Sequence, residues 1–455
     1  MKNRMRGVIS LVWIVLVCWT GLVKAQEAQL LVLSEIEERI AGELAFVSLE
    51  RELTDQGHVV TTDPAISAIG RAVAKYSDRP HLHYSFHVIE GDLPPRAFSL
   101  PGGYVCLSRS LIEQVCQTDA DIAFVLGHEI AHSALRHYAD YKLRDEQQVA
   151  YVKELLQQHN LFDPGTASSS ADALHQVLLP YMAKIRQIKE LEADQFGVLY
   201  ALRAGYPFAG GLQVLQTLRR LYGEHFQFEQ HGSLQSPDDA PEASVYPTLS
   251  ERIEQLEFFR LKAVEVARLF PTGREALDRG DYREASLLFE TIISLFPQSR
   301  AARIGLGVAS HLQYWDSAPG DDFLLAYPGA LELDYMFLLE RGPRDFDALQ
   351  RAVDEYRTVL ESEPGNAYAS NNLGVALAEL NRPAEAEATL REALRLANRD
   401  FTMFNLALLL YQKLLDTQQR EVKEEALALL KDYLESMPED EVARDYFEQL
   451  ESALP

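Results

Sequence analysis

His128 and His132 stand four residues apart, with Glu129 beside the first, in the run His128-Glu129-Ile130-Ala131-His132. On an α-helix that interval stacks both imidazoles on one face, where together they can hold a zinc ion while Glu129 sits close enough to activate water. Two histidines leave such an ion unfinished, because a catalytic zinc takes a third protein ligand and keeps a fourth position open. A histidine completing the longer pattern with glycine at 135 would fall at 138, and Leu135 and Tyr138 occupy those places. The next candidates are Glu190 and Asp194, in Glu190-Leu191-Glu192-Ala193-Asp194, which share a helical face. One carboxylate could complete the metal sphere while the other accepts a hydrogen bond from a ligand imidazole and fixes its tautomer. A solvated acidic face has the same spacing, so the interval alone leaves both readings open.

The elements that would position these residues follow from periodicity. Helical spacing of apolar residues runs from Gln29 to Leu53 and again from Ala65 to Tyr76. Alternation then predicts a strand over His83–Ile89 and another over Ala97–Leu107, interrupted by Pro101-Gly102-Gly103. Thr118 and Asp119 open a helix expected to reach Tyr138 and to carry the histidine pair. Helices are expected over Lys142–Leu156 and Ala171–Leu202, separated by Phe162-Asp163-Pro164-Gly165, and an irregular stretch over Gly223–Pro247. The Ala97–Val105 strand, if it lies at a sheet edge along the cleft, would hold an extended substrate through main-chain bonds at Ala97, Phe98, Ser99, Leu100, Gly102 and Gly103.

From about Val264 onward a repeat near 34 residues emerges, the period of the tetratricopeptide helix pair. Units starting at Val266, Arg300, Leu333 and Ala367 place Gly273, Gly307 and Gly374 at small tight-packing sites, and Phe289, Tyr356 and Leu390 at the large apolar site of the second helix. Pro319 breaks the second helix of the Arg300 unit, a fifth unit is elongated, and Asp440–Leu454 would cap the stack. With 455 residues and 47% apolar content, the chain divides into an N-terminal leader (1–25), a domain over 26–263 and a repeat domain over 264–455.

A formal charge of −25 argues against nucleic acid or an anionic bilayer as partner, since both are polyanions. Lys2, Arg4 and Arg6 precede an apolar run from Val8 to Trp19 and then Val23-Lys24-Ala25, the pattern of a cleaved export signal. Val17 before Cys18 is too bulky for lipoprotein processing, so no lipid anchor is expected. Export would permit a bridge between Cys106 and Cys116, whose geometry the sequence leaves undetermined.

Taken in order, Ile66–Gly70, Arg96–Gly103, His128–His132 and Glu190–Asp194 resemble the M48 family of zinc metallopeptidases over about residues 30 to 260. The resemblance implies a mainly α protein: a gluzincin-type α+β metallopeptidase domain with a small sheet, followed by the all-α tetratricopeptide solenoid. It implies one zinc ion per chain held by His128, His132 and Glu190, with Glu129 as general base and Asp194 supporting a ligand, while Glu192 is not a ligand. The repeats add a likeness to periplasmic members from Gram-negative bacteria, whose repeats contact the outer-membrane assembly machinery. Misassembled proteins would then be the substrates, with a chaperone or adaptor role for the repeats as the alternative. Tyr246-Pro247 stands where such relatives carry His-Pro, with Arg252 in register beyond it. Tyr246 would ligate weakly or, like Arg252, support the oxyanion.

Overall fold

A computed structural model describes residues 33–137, 167–226, 246–317 and 345–452, with side chains of the helix beginning at 167 described from 184. The leader over 1–25, the helix expected over 142–156, the separating residues 162–165, most of the irregular stretch after 223, and Pro319 lie outside them.

Helix α1 (Glu35–Asp55) begins later than its periodicity suggests, because Ser34 and Glu37 cap each other's backbone amides there. After β1 (Val59–Thr61), helix α2 (Pro64–Ala74) starts on the Asp63 side chain with proline in its first turn. Strands β2 (Ser85–Glu90), β3 (Ala97–Leu100) and β4 (Tyr104–Ser108) complete a four-stranded sheet in the order β1-β2-β4-β3. The β2–β4 pair is parallel and the β3–β4 pair antiparallel, with Ala97 opposite Leu107 and Leu100 opposite Tyr104. The expected single strand over Ala97–Leu107 is therefore two, folded at a 3-10 turn over Pro101–Gly103. Gly102 sits there at φ 77, a left-handed conformation that side chains resist, and a Cβ would meet the Arg39 backbone of α1 at 2.9 Å. Among the described residues β3 has β4 as its one strand neighbour, so it forms an edge of the sheet.

Beyond the short α3 (Arg109–Gln114), helix α4 (Asp119–Ala134) carries the histidine pair and is buried along almost all of its length. It stops at Ala134 rather than Tyr138, since Arg136 turns into the left-handed region at φ 55. Helix α5 (Ala167–Arg203) crosses it at Gly127 and Gly197. A Cβ on Gly197 would lie 2.6 Å from the His128 amide nitrogen, and one on Gly127 would lie 2.5 Å from the Gly197 carbonyl oxygen. Only two glycines allow the helices this approach, which sets Glu190 and Asp194 against the histidines. Helix α6 (Ala209–Tyr222) packs on the N-terminal part of α4, with Gly210 against Ala120 and Gly211 against Phe124.

Helix α7 runs without a break from Leu249 to Asp278, capped by Thr248 and Glu251. The expected domain boundary at 263/264 falls inside it. Its N-terminal half packs on α5, and its C-terminal half pairs with α8 (Tyr282–Leu295) as the first repeat, with Gly273 against Phe289. Helix α9 (Arg300–Ser317) pairs directly with α10 (Phe346–Ser362), where Gly307 receives Tyr356 as Gly273 receives Phe289. The units expected at Arg300 and Leu333 are thus one helix pair with residues 318–345 inserted between its helices. Two more pairs follow, α11 (Ala367–Glu379) with α12 (Pro383–Leu396) and α13 (Asp400–Thr417) with α14 (Arg420–Ser436), before the cap α15 (Glu441–Ser452).

The array curls back onto α1. Arg399 Nη2 meets Glu35 Oε2 at 2.6 Å, and Tyr368 Oη meets His81 Nδ1 at 2.9 Å, while His81 Nε2 bonds the other Glu35 oxygen at 2.7 Å. Arg79 continues the chain inward, 3.4 Å from Glu35 and 3.0 Å from the buried Glu38. Burial pushes the Glu35 carboxyl up, but His81, Arg79 and Arg399 outweigh it and lower it from 4.5 to about 2.

Gly197→Ala should destabilise the chain by about 1–3 kcal/mol through overpacking and separate α5 from α4. Urea unfolding together with zinc retained after dialysis checks this, and an unchanged variant would show that the close crossing is dispensable. Ionised Glu35 contributes about 3 kcal/mol that is fully present above pH 4.5 and fades as pH falls towards 2, because its folded value lies below its unfolded one. The stability gap between wild type and Glu35→Gln should therefore close across that window in acid titrations followed by circular dichroism. A constant gap contradicts the assignment.

Candidate metal centre

Thr118 and Asp121 cap each other at the start of α4, fixing the register in which His128, Glu129 and His132 reach the protein interior. Phe124, Val125, Leu126, Ile130 and Ala131 are buried around them, so the site is dry on the protein side. Glu190 approaches from α5, with Oε2 3.6 Å from His128 Nε2 and Oε1 3.7 Å from His132 Nε2, and the two Nε2 atoms are 3.1 Å apart. A tetrahedral zinc about 2.1 Å from each ligand separates them by about 3.4 Å, so this triangle has the size the ion requires. Charge points the same way: Glu129, Glu190 and Asp194 are all buried here, and Arg252 balances one of the three. Burial pushes the Glu190 carboxyl up against the pull of His128 and Arg252, the behaviour of a ligand position that a divalent cation would stabilise.

Asp194 supports rather than completes the triangle. Its Oδ1 accepts from His128 Nδ1 at 3.0 Å, which leaves His128 Nε2 its lone pair. Arg252 donates to the same carboxylate twice, Nε to Oδ2 at 2.7 Å and Nη2 to Oδ1 at 2.6 Å. Burial acts to raise Asp194, but the charge and hydrogen bonds of Arg252, with His128, hold it below the usual carboxylate range. The oxyanion role expected for Arg252 does not match this placement: the guanidinium is buried and turned to Asp194, with Nη1 3.7 Å from Glu190. Arg252 positions the ligands.

Two residues that spacing did not single out join the cluster. The left-handed turn at Arg136 brings His137 back under His132, with 2.9 Å between their Nδ1 atoms. His137 Nε2 lies 3.5 Å from Glu192 Oε2, and Lys189 Nζ donates to the His137 carbonyl at 2.9 Å. Burial lowers the His137 imidazole to about 4, leaving it neutral.

The edge strand reaches the site at its C-terminal end. Ser99, Leu100 and Pro101 line one small cavity with His132, Ser133, Glu38 and Arg136. Ala97 is buried, and Phe98, Ser99 and Leu100 are half-buried along the edge. Gly102 and Gly103, expected to bind substrate, are instead buried in the turn, where small size admits α1 and the Tyr84 ring. Tyr246 is half-buried two residues before the α7 cap. Cys106 and Cys116 are both free thiols.

Residues 61–259 match the family described as Peptidase family M48, and residues 270–328 and 344–401 match a tetratricopeptide repeat. The chain is 28% identical over 189 residues to the mitochondrial metalloendopeptidase OMA1 of Saccharomyces cerevisiae, covering 41% of this chain and 49% of the relative. It is 28% identical to the OMA1 of Arabidopsis thaliana over 42% of this chain and 37% of that one. The chain thus spans less than half the length of these curated relatives. A thermophilic tetratricopeptide-repeat protein of Thermus thermophilus aligns in structure at 18% identity and a TM-score of 0.30, covering 56% of this chain and 97% of that one.

Asp194→Asn should weaken zinc binding about 10–100-fold, because the amide no longer fixes the His128 tautomer with full charge. It should also cost about 3–5 kcal/mol by stranding Arg252. Chelator competition and urea unfolding read the two effects, and wild-type zinc affinity in this variant would remove Asp194 from the centre.

Proposed function

We propose that the chain, whose residues 61–259 form a domain of peptidase family M48 followed by tetratricopeptide repeats, is an exported zinc endopeptidase of cell-envelope protein quality control. The observation that carries this reading is the triangle of His128, His132 and Glu190 with Glu129 next to it, at the end of a sheet edge. Zinc held there would supply Lewis acidity, making water more acidic and a scissile carbonyl more electrophilic. Glu129 takes the proton of the attacking water on its carboxylate and returns it to the leaving amine nitrogen. Ala97–Leu100 offers main-chain donors and acceptors to an extended substrate, which aligns the peptide without reading its sequence. Misassembled proteins are the substrate class such recognition suits. Export is supported by the run from Lys2 to Ala25. The repeats supply a surface for proteins, and the outer-membrane assembly machinery is the partner we propose for it.

Glu129→Gln in the purified chain should abolish casein cleavage while retaining zinc at wild-type stoichiometry. Casein cleavage that survives in the variant overturns the general-base role. A wild-type chain that holds zinc but never cuts unfolded protein would favour an adaptor role for the repeats.

A further inference from the structure

We propose that His137 and Glu192 hold His132 in its ligating tautomer, as Asp194 and Arg252 hold His128. The inference rests on the metal-centre reading and adds two positioning residues to it. With 2.9 Å between the Nδ1 atoms of His132 and His137, one nitrogen carries the hydrogen and the other the lone pair. His132 must keep the lone pair on Nε2 to face Glu190 and His128, so its Nδ1 is the donor and His137 Nδ1 the acceptor. His137 then carries its own hydrogen on Nε2, the atom that lies 3.5 Å from Glu192 Oε2. The carboxylate therefore sets the tautomer of the first imidazole, and that imidazole sets the second.

The backbone around His137 is built for this placement. Arg136 at φ 55 adopts a left-handed conformation that costs a non-glycine residue about 1–2 kcal/mol. Its side chain is anchored to compensate, with Nη1 donating to the Leu33 carbonyl at 3.0 Å and Nε 3.4 Å from the buried Glu38. Lys189 fixes the His137 carbonyl from α5, one turn before Glu192 on the same helix. Helix α5 thus serves both ligand histidines, with Asp194 behind His128 and Glu192 behind His137.

Zinc alone is the probe, titrated into the metal-free full chain against a chromophoric chelator. His137→Phe keeps a ring but offers no acceptor, and should weaken zinc about 10–100-fold. In His137→Asn the amide oxygen can stand where Nδ1 stood, so affinity should return to within about threefold of wild type. Metal-free melting separates this from a folding defect, since a tautomer role predicts similar melting for the two variants. Wild-type affinity in His137→Phe, or equal weakening in Phe and Asn, overturns the inference. Glu192→Leu against Glu192→Gln repeats the comparison at a less buried position, with the larger loss expected for Leu and no loss in either overturning the role of Glu192. A wild-type chain that binds no zinc would instead remove the metal-centre reading itself.

Discussion

The approach of α4 to α5 at Gly127 and Gly197 is the constraint on which everything else depends. At that point one backbone nearly touches the other, closer than any pair of side chains would allow. Glu190 and Asp194 lie within two turns of the crossing, so the separation of their carboxylates from the imidazoles is set by backbone contact rather than by flexible side chains. Ligands supplied by rigid elements hold a geometry that loops do not.

That closeness brings an electrostatic cost. Burying acids without compensation costs several kcal/mol each, and the molecule answers with a hierarchy of partners. Arg252 neutralises Asp194 from α7, the histidines divide their ring nitrogens between an inner and an outer partner, and the excess negative charge at Glu190 and Glu129 faces inward. A second layer of ion pairs, Glu38 with Arg79 and Arg136 and then Glu35 with Arg399, carries the same logic from the end of α4 to the repeats. Helix α1 is held by charge through Glu35 and Glu38, while Ile36, Ile40, Leu44 and Val47 are exposed on it.

What could be read from the residues was whatever one helix determines by itself. His128 and His132, and likewise Glu190 and Asp194, share faces through an interval of four, and the capping residues Thr118 and Asp119 mark a helix start locally. The role of Arg252 depends on how α7 packs against α5, so its identity was legible but not its orientation. His137 was invisible because a left-handed arginine leaves no mark in sequence, unlike the glycine that usually takes that conformation. The repeat register placed the small and large packing sites correctly, while the division into units at Arg300 and Leu333 differs for a related reason. Residues 318–345 have nearly the length of a repeat, so an insertion inside one helix pair keeps a period of 34 while changing which helices meet. The glycines at 102 and 103 do mark a close backbone approach, but the approaching groups are helix α1 and the Tyr84 ring rather than the substrate assigned to them.

Helix α7 gives the molecule one further property. A guanidinium that orders the metal ligands and the glycine that seats the first repeat lie on one continuous helix, 21 residues or roughly 30 Å apart along it, with Pro271 just before the glycine. The two regions are consequently not interchangeable modules. A cut at residue 263 would leave Arg252 on a stub of about four turns, a length at which an isolated helix is barely stable. Grafting the repeats onto another peptidase would have to carry the helix, and with it a part of the catalytic scaffold.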